Sequence, residues 1–341
     1  MTRPALLAVD GGGSKVDAVL LSRTGDVLGS AHMPDPRWED TGDELHMESI
    51  AEALEAAARD AGLDPVARPI ADLGVYCLAG ADLPADDRRI LRGLRRRGFT
   101  GADILRNDTF AVLRAGTERD WGVGVVCGFG TNCSGVAPNG RQYRLPAIGP
   151  ISGDWGGAVE LGEAALWHAV RARDGRGPST TLATSVPRTF GMRTPRQVTE
   201  VLYFRRMDTA RLAELAPVVF RDAAEGDDVA RGLVDRQADE IVLMAAAAIR
   251  RLGMRALDVD VVLGGGIFRT GFPPFFERIE TGLRAVAERA RMVVLEAPPV
   301  VGAAMLGLDR IGASRRAKAR VRATLTHERL SADAGPDAME G

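Results

Sequence analysis

The first third of the chain alternates short apolar runs, typical of buried strands, with longer stretches of helical spacing. Residues 5–33 contain three apolar runs separated by two tight turns, which predicts a three-strand meander. Helical spacing over 43–62 and 85–98 predicts two helices that end at glycines. Apolar runs at 72–80 and 102–108 predict two further strands. This alternation predicts an α/β domain.

The same opening pattern occurs a second time in the middle of the chain. Residues 122–148 again read as strand, glycine turn, strand, Asn-Gly turn and strand. A long helix is predicted over 154–175, a helical region over 178–253, and a strand that runs into a glycine turn over 258–268. The repeat predicts a duplicated α/β architecture.

Composition and charge narrow the class of protein. The chain has 341 residues, 45% of them hydrophobic and 26% charged, with a net charge of -2. This balance gives no bulk electrostatic reason to bind nucleic acid or an anionic membrane. The basic runs 87–98 and 314–322 are interpreted as a solvated helix face and a tail. No apolar stretch is long enough to span a bilayer.

The cysteines and the first residues indicate the compartment. The three cysteines form no CxxC pair, and they lie in or beside apolar runs. The N-terminal residues reach an acid before a signal-peptide core could form. We therefore expect a reducing, cytoplasmic environment.

The first glycine loop follows an acid at a predicted strand end. Asp10 precedes a glycine run that includes Gly12 and Gly13, and Ser14 and Lys15 follow. A Walker A loop needs the lysine before the hydroxyl residue and a helix afterwards, whereas here a strand follows, so the loop is a β-hairpin. Its backbone amides can hold phosphate, and a carboxylate there requires a cation such as Mg²⁺. The alternative is a plain tight hairpin with Asp10 as a turn residue.

Two later glycine loops have similar positions at strand ends. The second copy contains Gly128, Phe129, Gly130, Thr131 and Asn132. We expect the two hairpins to face each other across a cleft, with the phosphates of a nucleotide between them. A third run, Gly264, Gly265 and Gly266, follows a strand and could let an adenine lie against the backbone.

Two acids are candidates for chemistry. Asp108 follows Asn107 at a strand end, where it could act as a general base, although it could equally cap the helix that begins there. Asp154 precedes a long helix, so a helix cap and a ligand contact are both open, and the aromatic Trp155 follows it.

These motifs together resemble the acetate and sugar kinase/Hsp70/actin superfold. Within it the chain is similar to the N-acetylglucosamine kinase and BadF/BadG/BcrA/BcrD type ATPase family. The matching motifs are DGGGSK, NDTFAVLRAG, GFGTNC, SGDWGG and VVLGGGIF, within residues 4–312. The resemblance implies ribonuclease H-like (actin-like ATPase) domains in two lobes around a central cleft that closes on ligand.

The resemblance also implies domain boundaries. It implies an N-terminal lobe over 1–118 and a C-terminal lobe over 119–312 with a helical insertion at 178–253. The final helix, 298–312, is expected to pack on the first lobe, and residues 313–341 are expected to form a flexible tail.

The resemblance assigns roles to the motif residues. Asp10 would bind Mg²⁺ through water, and Asp108 would take the proton of a sugar 6-hydroxyl. Asp154 would hold sugar hydroxyls. The residues implied for ATP are Gly12, Gly13, Ser14, Lys15, Gly128, Gly130, Thr131, Gly264, Gly265 and Gly266. The residues implied for the sugar are Asn107, Asp108, Thr131, Asn132, Asp154 and Trp155.

Three departures from the family pattern concern substrate choice. Phe129 replaces a Thr that can bond ligand, and Trp155 replaces a Glu. The segment 33–42 lacks the Gly-Asn element that often touches the sugar.

The expected activity is ATP-dependent phosphorylation of a hexose, with an amino sugar such as N-acetylglucosamine favoured and ATP and Mg²⁺ as cofactors. The expected partner is the small-molecule sugar, and a homodimer is possible. One alternative is an ATPase that activates a radical dehydratase, which needs exposed cysteines for a shared iron–sulfur cluster. The other is a sugar- or nucleotide-binding regulator of the same fold. The first strand starts close to Met1, so no preceding DNA-binding domain is expected.

Overall fold

The computed structural model describes residues 3–13, 15–34 and 43–332. Three parts of the sequence predictions therefore lie outside the described residues. These are Ser14, the departure from the family pattern within 35–42, and the end of the predicted tail, 333–341.

The first sheet confirms the predicted meander followed by two strands. Its strands are β1 (Leu6–Gly11), β2 (Lys15–Leu21), β3 (Val27–Pro34), β4 (Ala71–Leu78) and β5 (Thr100–Arg106). Their order is β3-β2-β1-β4-β5. β1, β2 and β3 pair antiparallel, whereas β4 pairs parallel with both β1 and β5. Because Lys15 begins a strand and not a helix, the glycine loop before it is a hairpin turn.

The second sheet repeats this order, as the repeat in the sequence predicts. Its strands are β6 (Gly122–Cys127), β7 (Thr131–Val136), β8 (Gln142–Arg144), β9 (Asp260–Gly264) and β10 (Arg291–Val294). Their order is β10-β9-β6-β7-β8, so in both sheets the first strand of the meander lies between its second strand and the later fourth strand. The chain is therefore an α/β protein built from two copies of one sheet topology.

Helices connect and cover the strands. The α-helices of the described residues are α1 (Asp43–Asp60), α2 (Pro84–Arg97), α3 (Asp108–Gly116), α4 (Ala158–Asp174), α5 (Leu182–Thr189), α6 (Pro195–Tyr203), α7 (Ala216–Ala224), α8 (Asp228–Leu252), α9 (Pro273–Val286), α10 (Val300–Arg310), α11 (Arg315–Thr324) and α12 (His327–Ala332). Short 3-10 turns occupy Pro150–Ser152, Thr209–Leu215 and Gly266–Arg269. The helices α5 to α8 fall within the predicted helical region 178–253.

Alternation along the strands separates two cores on the first sheet. Leu7 and Val9 of β1 pack in a cluster that includes residues of α1 and α2. Leu6 and Ala8 pack on the opposite face, in a cluster that includes residues of α3 and α10. Since side chains alternate between faces, Asp10 follows Leu6 and Ala8 onto the α3 side of the sheet.

The chain divides into two compact units. The first comprises Met1–Gly124, Ser134–Pro146 and Val293–Gly341, and the second comprises Val125–Cys133 and Ala147–Met292. The last long helix of the second half, α10, packs on β1 within the first unit.

The flexible tail expected from residue 313 is corrected over 313–332, where the structure forms α11 and α12. Ala317 and Val321, one helical turn apart, are buried. Arg322 donates to the carbonyl oxygens of Arg114, Ala115 and Thr117 at the C-terminal end of α3. Arg322 therefore donates to backbone carbonyls at a helix end, a function that net charge alone does not indicate.

Candidate functional site

A row of polar side chains crosses the first sheet where β1 ends. Asp10 lies opposite Asp17 of β2 and beside Cys77 of β4. Asp17 in turn lies opposite His32 of β3, and Cys77 pairs with Arg106 of β5. Neighbouring positions in register share a face, so this row continues the apolar surface on which α3 packs.

Asp10 is a buried carboxylate beside the first glycine turn. Its side chain is only 6% exposed, and Lys15 Nζ lies 3.8 Å from its Oδ2. Burial raises the pKa of Asp10 to about 7, Lys15 opposes this rise, and Asp17 adds to it. A site that disfavours negative charge to this extent gains from a bound cation.

Asp17 is a site residue that the sequence analysis missed. It is fully buried, bonds to Lys15 Nζ through Oδ2, and lies 2.6 Å from His32 Nδ1 through Oδ1. Burial opposes its ionisation, but the hydrogen bond with His32 and the charge of Lys15 hold the pKa of Asp17 below its usual value. The i, i+2 spacing of Lys15 and Asp17 is the sequence signal that places them on one face.

Asp108 is the first residue of α3, and it is buried. The alternative that Asp108 caps this helix is corrected, because Asn107 is the cap and its Oδ1 accepts from the Thr109 amide at 3.1 Å. Burial raises the pKa of Asp108 to about 8, and the charges of Asp10 and Asp82 add to the rise. Asp10 and Asp108 are thus two carboxyl groups of the first unit whose pKa values burial raises.

Asn107 is held in a hydrogen-bond network behind Asp108. Its Nδ2 donates to Asp82 Oδ1 at 3.0 Å, and its Oδ1 accepts from Thr109 Oγ1 at 2.6 Å. Thr109 Oγ1 also lies 2.7 Å from Ser134 Oγ. Asn107 is fully buried, so within this network it orients the start of α3.

The second glycine turn is fixed to the start of α4 within the second unit. The Ala158 amide donates to Gly128 O at 2.8 Å, and the Val159 amide donates to Phe129 O at 3.1 Å. Gly157 has a φ of +92°, and a Cβ there would lie 2.5 Å from the carbonyl carbon of Gly130. Only glycine permits this approach. At Gly130 itself the space that a Cβ would occupy is open.

The polar residues after this turn have partners within the strand region. Thr131 Oγ1 donates to Val126 O at 3.1 Å, and Asn132 Oδ1 accepts from the Cys133 amide at 2.7 Å. Both residues are buried at 9% exposure, which leaves each a small accessible portion.

Asp154 closes a loop instead of capping a helix, which corrects that alternative. α4 begins only at Ala158, because Gly156 and Gly157 adopt positive φ. Asp154 Oδ2 accepts from the Gly149 amide at 2.9 Å, and Oδ1 accepts from Ser152 Oγ.

Trp155, the aromatic residue after Asp154, is stacked within its own unit. The Arg236 guanidinium lies 3.8 Å from the centre of the Trp155 ring. This cation–π contact occupies one face of the ring and orients it.

Two further polar groups near this loop were not predicted. Glu160 Oε2 and Gln237 Nε2 are buried without a hydrogen-bond partner among the described residues. Burial raises the pKa of Glu160, and the charges of Glu163 and Asp154 add to the rise. Gln237 Oε1 accepts from the Gly157 amide at 2.9 Å, so Gln237 supports the glycine pair that precedes α4.

The third glycine run closes β9 against the end of β6. Gly265 has a φ of +113°, and a Cβ there would lie 2.3 Å from Cys127 O. Gly264 is buried as the last residue of β9, whereas Gly265 and Gly266 are exposed. Space beside Gly266 is open, so this turn presents bare backbone.

The surroundings of Asp10 and the first glycine turn bear on whether a metal ion can bind there. Within the residues that the structure describes, no cluster of three or more His, Cys, Asp or Glu side chains could hold a metal ion. Mg²⁺ uses one or two carboxylates together with substrate phosphates and water. The buried Asp10 and the open space beside Gly12 fit this requirement.

All three cysteines of the chain are buried. Burial raises the pKa of Cys77, Cys127 and Cys133 above the ordinary thiol value. Buried, protonated thiols are poor metal ligands, which weighs against a surface iron–sulfur cluster. Over the described part of the chain, no helix is long and apolar enough to cross a membrane.

The duplicated sheets and their strand-end turns define an α/β protein of the actin-like ATPase fold. The model of the BadF/BadG/BcrA/BcrD ATPase family matches residues 7–307, so the chain belongs to that family.

Two related proteins and one solved structure carry the names of N-acetylglucosamine kinases. An N-acetyl-D-glucosamine kinase of Dictyostelium discoideum is 24% identical over 323 residues, which cover 91% of this chain and 99% of that protein. An N-acetylmuramic acid/N-acetylglucosamine kinase of Clostridium acetobutylicum is 25% identical over 264 residues, covering 77% of this chain and 85% of that protein. A solved structure from Chromobacterium violaceum, described as a candidate N-acetylglucosamine kinase, superposes with a TM-score of 0.71 at 24% identity. The superposition covers 90% of this chain and 99% of that one, and it shows the shared fold.

Proposed function

We propose that the protein is an ATP-dependent carbohydrate kinase that phosphorylates a hexose on its 6-hydroxyl, with N-acetylglucosamine or a related amino sugar as the acceptor. The observation that carries the proposal is Asp108, a buried carboxyl at the start of α3 whose pKa is raised to about 8 by burial and, to a lesser extent, by the charge of Asp10. A carboxyl with a pKa near the working pH suits general-base catalysis. The names of the two relatives support the choice of sugar.

In the proposed reaction, the sugar hydroxyl oxygen forms a bond to the γ-phosphorus of ATP. The bond from that phosphorus to the bridging oxygen of ADP breaks, and the hydroxyl proton passes to Asp108. Asn107 holds the start of α3, so it orients Asp108 through the backbone. Most of the catalysis would then come from positioning and electrostatic stabilisation.

Asp10 is the residue proposed to hold Mg²⁺, through water. When bound, the ion would supply positive charge that favours ionised carboxylates and offsets the phosphate charge. Lys15 and the amides of Gly12 and Gly13 are proposed for the phosphates. In the second unit, Gly128, Gly130 and Thr131 are proposed for phosphate, and Gly264 to Gly266 for adenosine. Ser14 remains part of the phosphate proposal from the resemblance alone.

Residues of the second unit are proposed for the sugar as well. Asn132 and Asp154 are the proposed hydroxyl contacts, and Trp155 offers the ring face that Arg236 leaves uncovered. The alternative of a dehydratase-activating ATPase is not favoured, because every cysteine of the chain is buried.

The experiment is ADP release from ATP and Mg²⁺ against glucose, mannose, glucosamine and N-acetylglucosamine. We expect an amino sugar to stimulate release, with the phosphate on the 6-hydroxyl by NMR of the product. Asp108→Asn should lower kcat by about 10²- to 10⁴-fold, since the base is lost. Asp222→Asn is the matched control, because Asp222 is also buried but bonds to Thr181 in the helical region. If no sugar stimulates ADP release, the proposal is wrong.

A further inference from the structure

Asp17 is a buried charge for which the proposed reaction has no use. Its side chain is fully inaccessible, on the strand that follows the first glycine turn. It lies directly opposite Asp10, the proposed magnesium residue. Two carboxylates facing each other across antiparallel strands repel, and a cation between them offsets this repulsion.

Lys15 supplies that cation from the edge of the glycine turn. Its Nζ bonds to Asp17 Oδ2 and lies 3.8 Å from Asp10 Oδ2. The Lys15 side chain remains 27% exposed, so a ligand at the turn can reach it although Asp17 holds its ammonium group. A lysine side chain is long and flexible, and an ion pair with a buried carboxylate restricts where its ammonium group can lie.

His32 fixes the carboxylate itself. Its Nδ1 lies 2.6 Å from Asp17 Oδ1, so the two oxygens of Asp17 are divided between His32 and Lys15. The three residues come from β2 and β3, which are rigid neighbouring strands. The arrangement is therefore a chain of contacts that leads from His32 through Asp17 to Lys15.

We propose that Asp17 is a positioning residue that holds the Lys15 ammonium at the glycine turn to receive the phosphates of a nucleotide. The inference rests on the proposed use of ATP, and it adds Asp17 and His32 to the residues that determine nucleotide affinity. The negative charge of Asp17 by itself would repel phosphates, so its removal through this effect alone would strengthen nucleotide binding. The direction of the change on removing Asp17 therefore separates positioning from simple repulsion.

The test is a double-mutant cycle on equilibrium binding of a non-hydrolysable ATP analogue with Mg²⁺ and no sugar. Lys15→Met and Asp17→Asn should each weaken binding by about tenfold, as loss of an orienting partner does at other sites. Because Asp17 acts through Lys15, the double variant should bind within about twofold of Lys15→Met alone. Binding by Asp17→Asn as tight as, or tighter than, that of the wild type would overturn the proposal, as would full additivity.

Asp260→Asn is the matched control. Asp260 is also a buried strand aspartate in an ion pair, with Arg291 in the second unit, and its loss should leave nucleotide affinity unchanged.

Should Asp17→Asn fail to fold, His32→Gln tests the same chain of contacts. It should weaken binding about threefold in the wild type and have no effect in the Lys15→Met background. An equal effect of His32→Gln in both backgrounds would contradict the proposal.

The outcome is separable from that of the kinase proposal, because no sugar is present in the binding experiment. A protein that binds nucleotide with this coupling but phosphorylates none of the sugars keeps the role of Asp17 and loses the kinase assignment. If Lys15→Met binds nucleotide like the wild type, the role of Asp17 is wrong whatever the sugar experiment gives.

Discussion

The two copies of the three-strand opening share a strand order but differ in charge. In the first copy, Asp10 and Asp17 stand seven residues apart on either side of the glycine turn. In the second copy, the residues at the same places around the turn are Cys127 and Ser134. All four are buried. The second copy thus keeps the glycine turn between two strands and has neutral groups in place of both carboxylates.

This difference in charge indicates that the two units, each containing one copy of the glycine turn, provide different chemical groups for a ligand. Carboxyl groups with raised pKa values occur in the first unit, where burial raises the pKa of Asp10 and Asp108 and the charge of Asp10 adds to the rise at Asp108. The second unit contributes glycine backbone, with close approaches at Gly157 and Gly265. We infer that cation and proton chemistry belongs to the first unit, and backbone contact with the ligand to the second.

The largest expected effect concerns the pH dependence of stability. The pKa values of Asp10 and Asp108 are raised to about 7 and about 8, from an unfolded value of 3.8. Between these limits the folded protein binds more protons than the unfolded chain, so the free energy of unfolding falls as the pH rises. Without divalent cations, we expect a loss on the order of 5–10 kcal/mol between pH 4 and pH 8.

Denaturant unfolding at several pH values measures this loss. The Asp10→Asn/Asp108→Asn double variant should show a flatter pH profile, whereas Ser134→Ala in the second copy should keep the slope of the wild type. Equal slopes in the wild type and the double variant would show that Asp10 and Asp108 do not cause the pH dependence. That result would contradict the contrast between the two units.

The next effect compares a glycine of each unit, Gly12 in the first and Gly157 in the second. Gly157→Ala should lower the free energy of unfolding by about 1–3 kcal/mol, because alanine is strained at a φ of +92° and its Cβ would overlap Gly130. Gly12 has no positive φ, and the space that its Cβ would fill is open. Gly12→Ala should therefore leave stability within about 0.5 kcal/mol of the wild type and weaken ATP binding instead. Equal destabilisation by the two substitutions would contradict this division.

The smallest effect concerns the contacts of α11 with the end of α3 in the first unit. Arg322 donates to the carbonyl oxygens of Arg114, Ala115 and Thr117 at the end of α3, the helix that begins at Asp108. Arg322→Ala should lower the free energy of unfolding by about 1–2 kcal/mol through these lost charged hydrogen bonds. Arg315→Ala on the same helix, at an exposed position, is the control. No difference between the two variants would mean that α11 does not support α3.

Local pattern was enough to predict much of the fold. The period-two apolar runs and the strand after Lys15 predicted the first hairpin, and the repeat at 122–148 predicted the second sheet. These features depend on residues close together in sequence, where side-chain alternation is decisive.

The misses came from longer-range or finer effects. The pairing of Asp17 with His32 depends on the register between β2 and β3, which local pattern does not define. The positive φ values of Gly156 and Gly157 delay α4, so Asp154 closes a loop instead of capping the helix. The tail prediction failed because α11 buries a stripe of only two residues, Ala317 and Val321, among many arginines.

The division between the copies is tested most directly by the Mg²⁺ dependence of nucleotide binding in Asp10→Asn and Cys127→Ser, measured by equilibrium titration with and without the ion. Mg²⁺ should strengthen binding in the wild type and in Cys127→Ser alike. Asp10→Asn should lose this strengthening, with binding in Mg²⁺ about tenfold or more weaker than that of the wild type. If Asp10→Asn keeps the full effect of Mg²⁺, or if Cys127→Ser loses it, the assignment of cation chemistry to the first copy is contradicted.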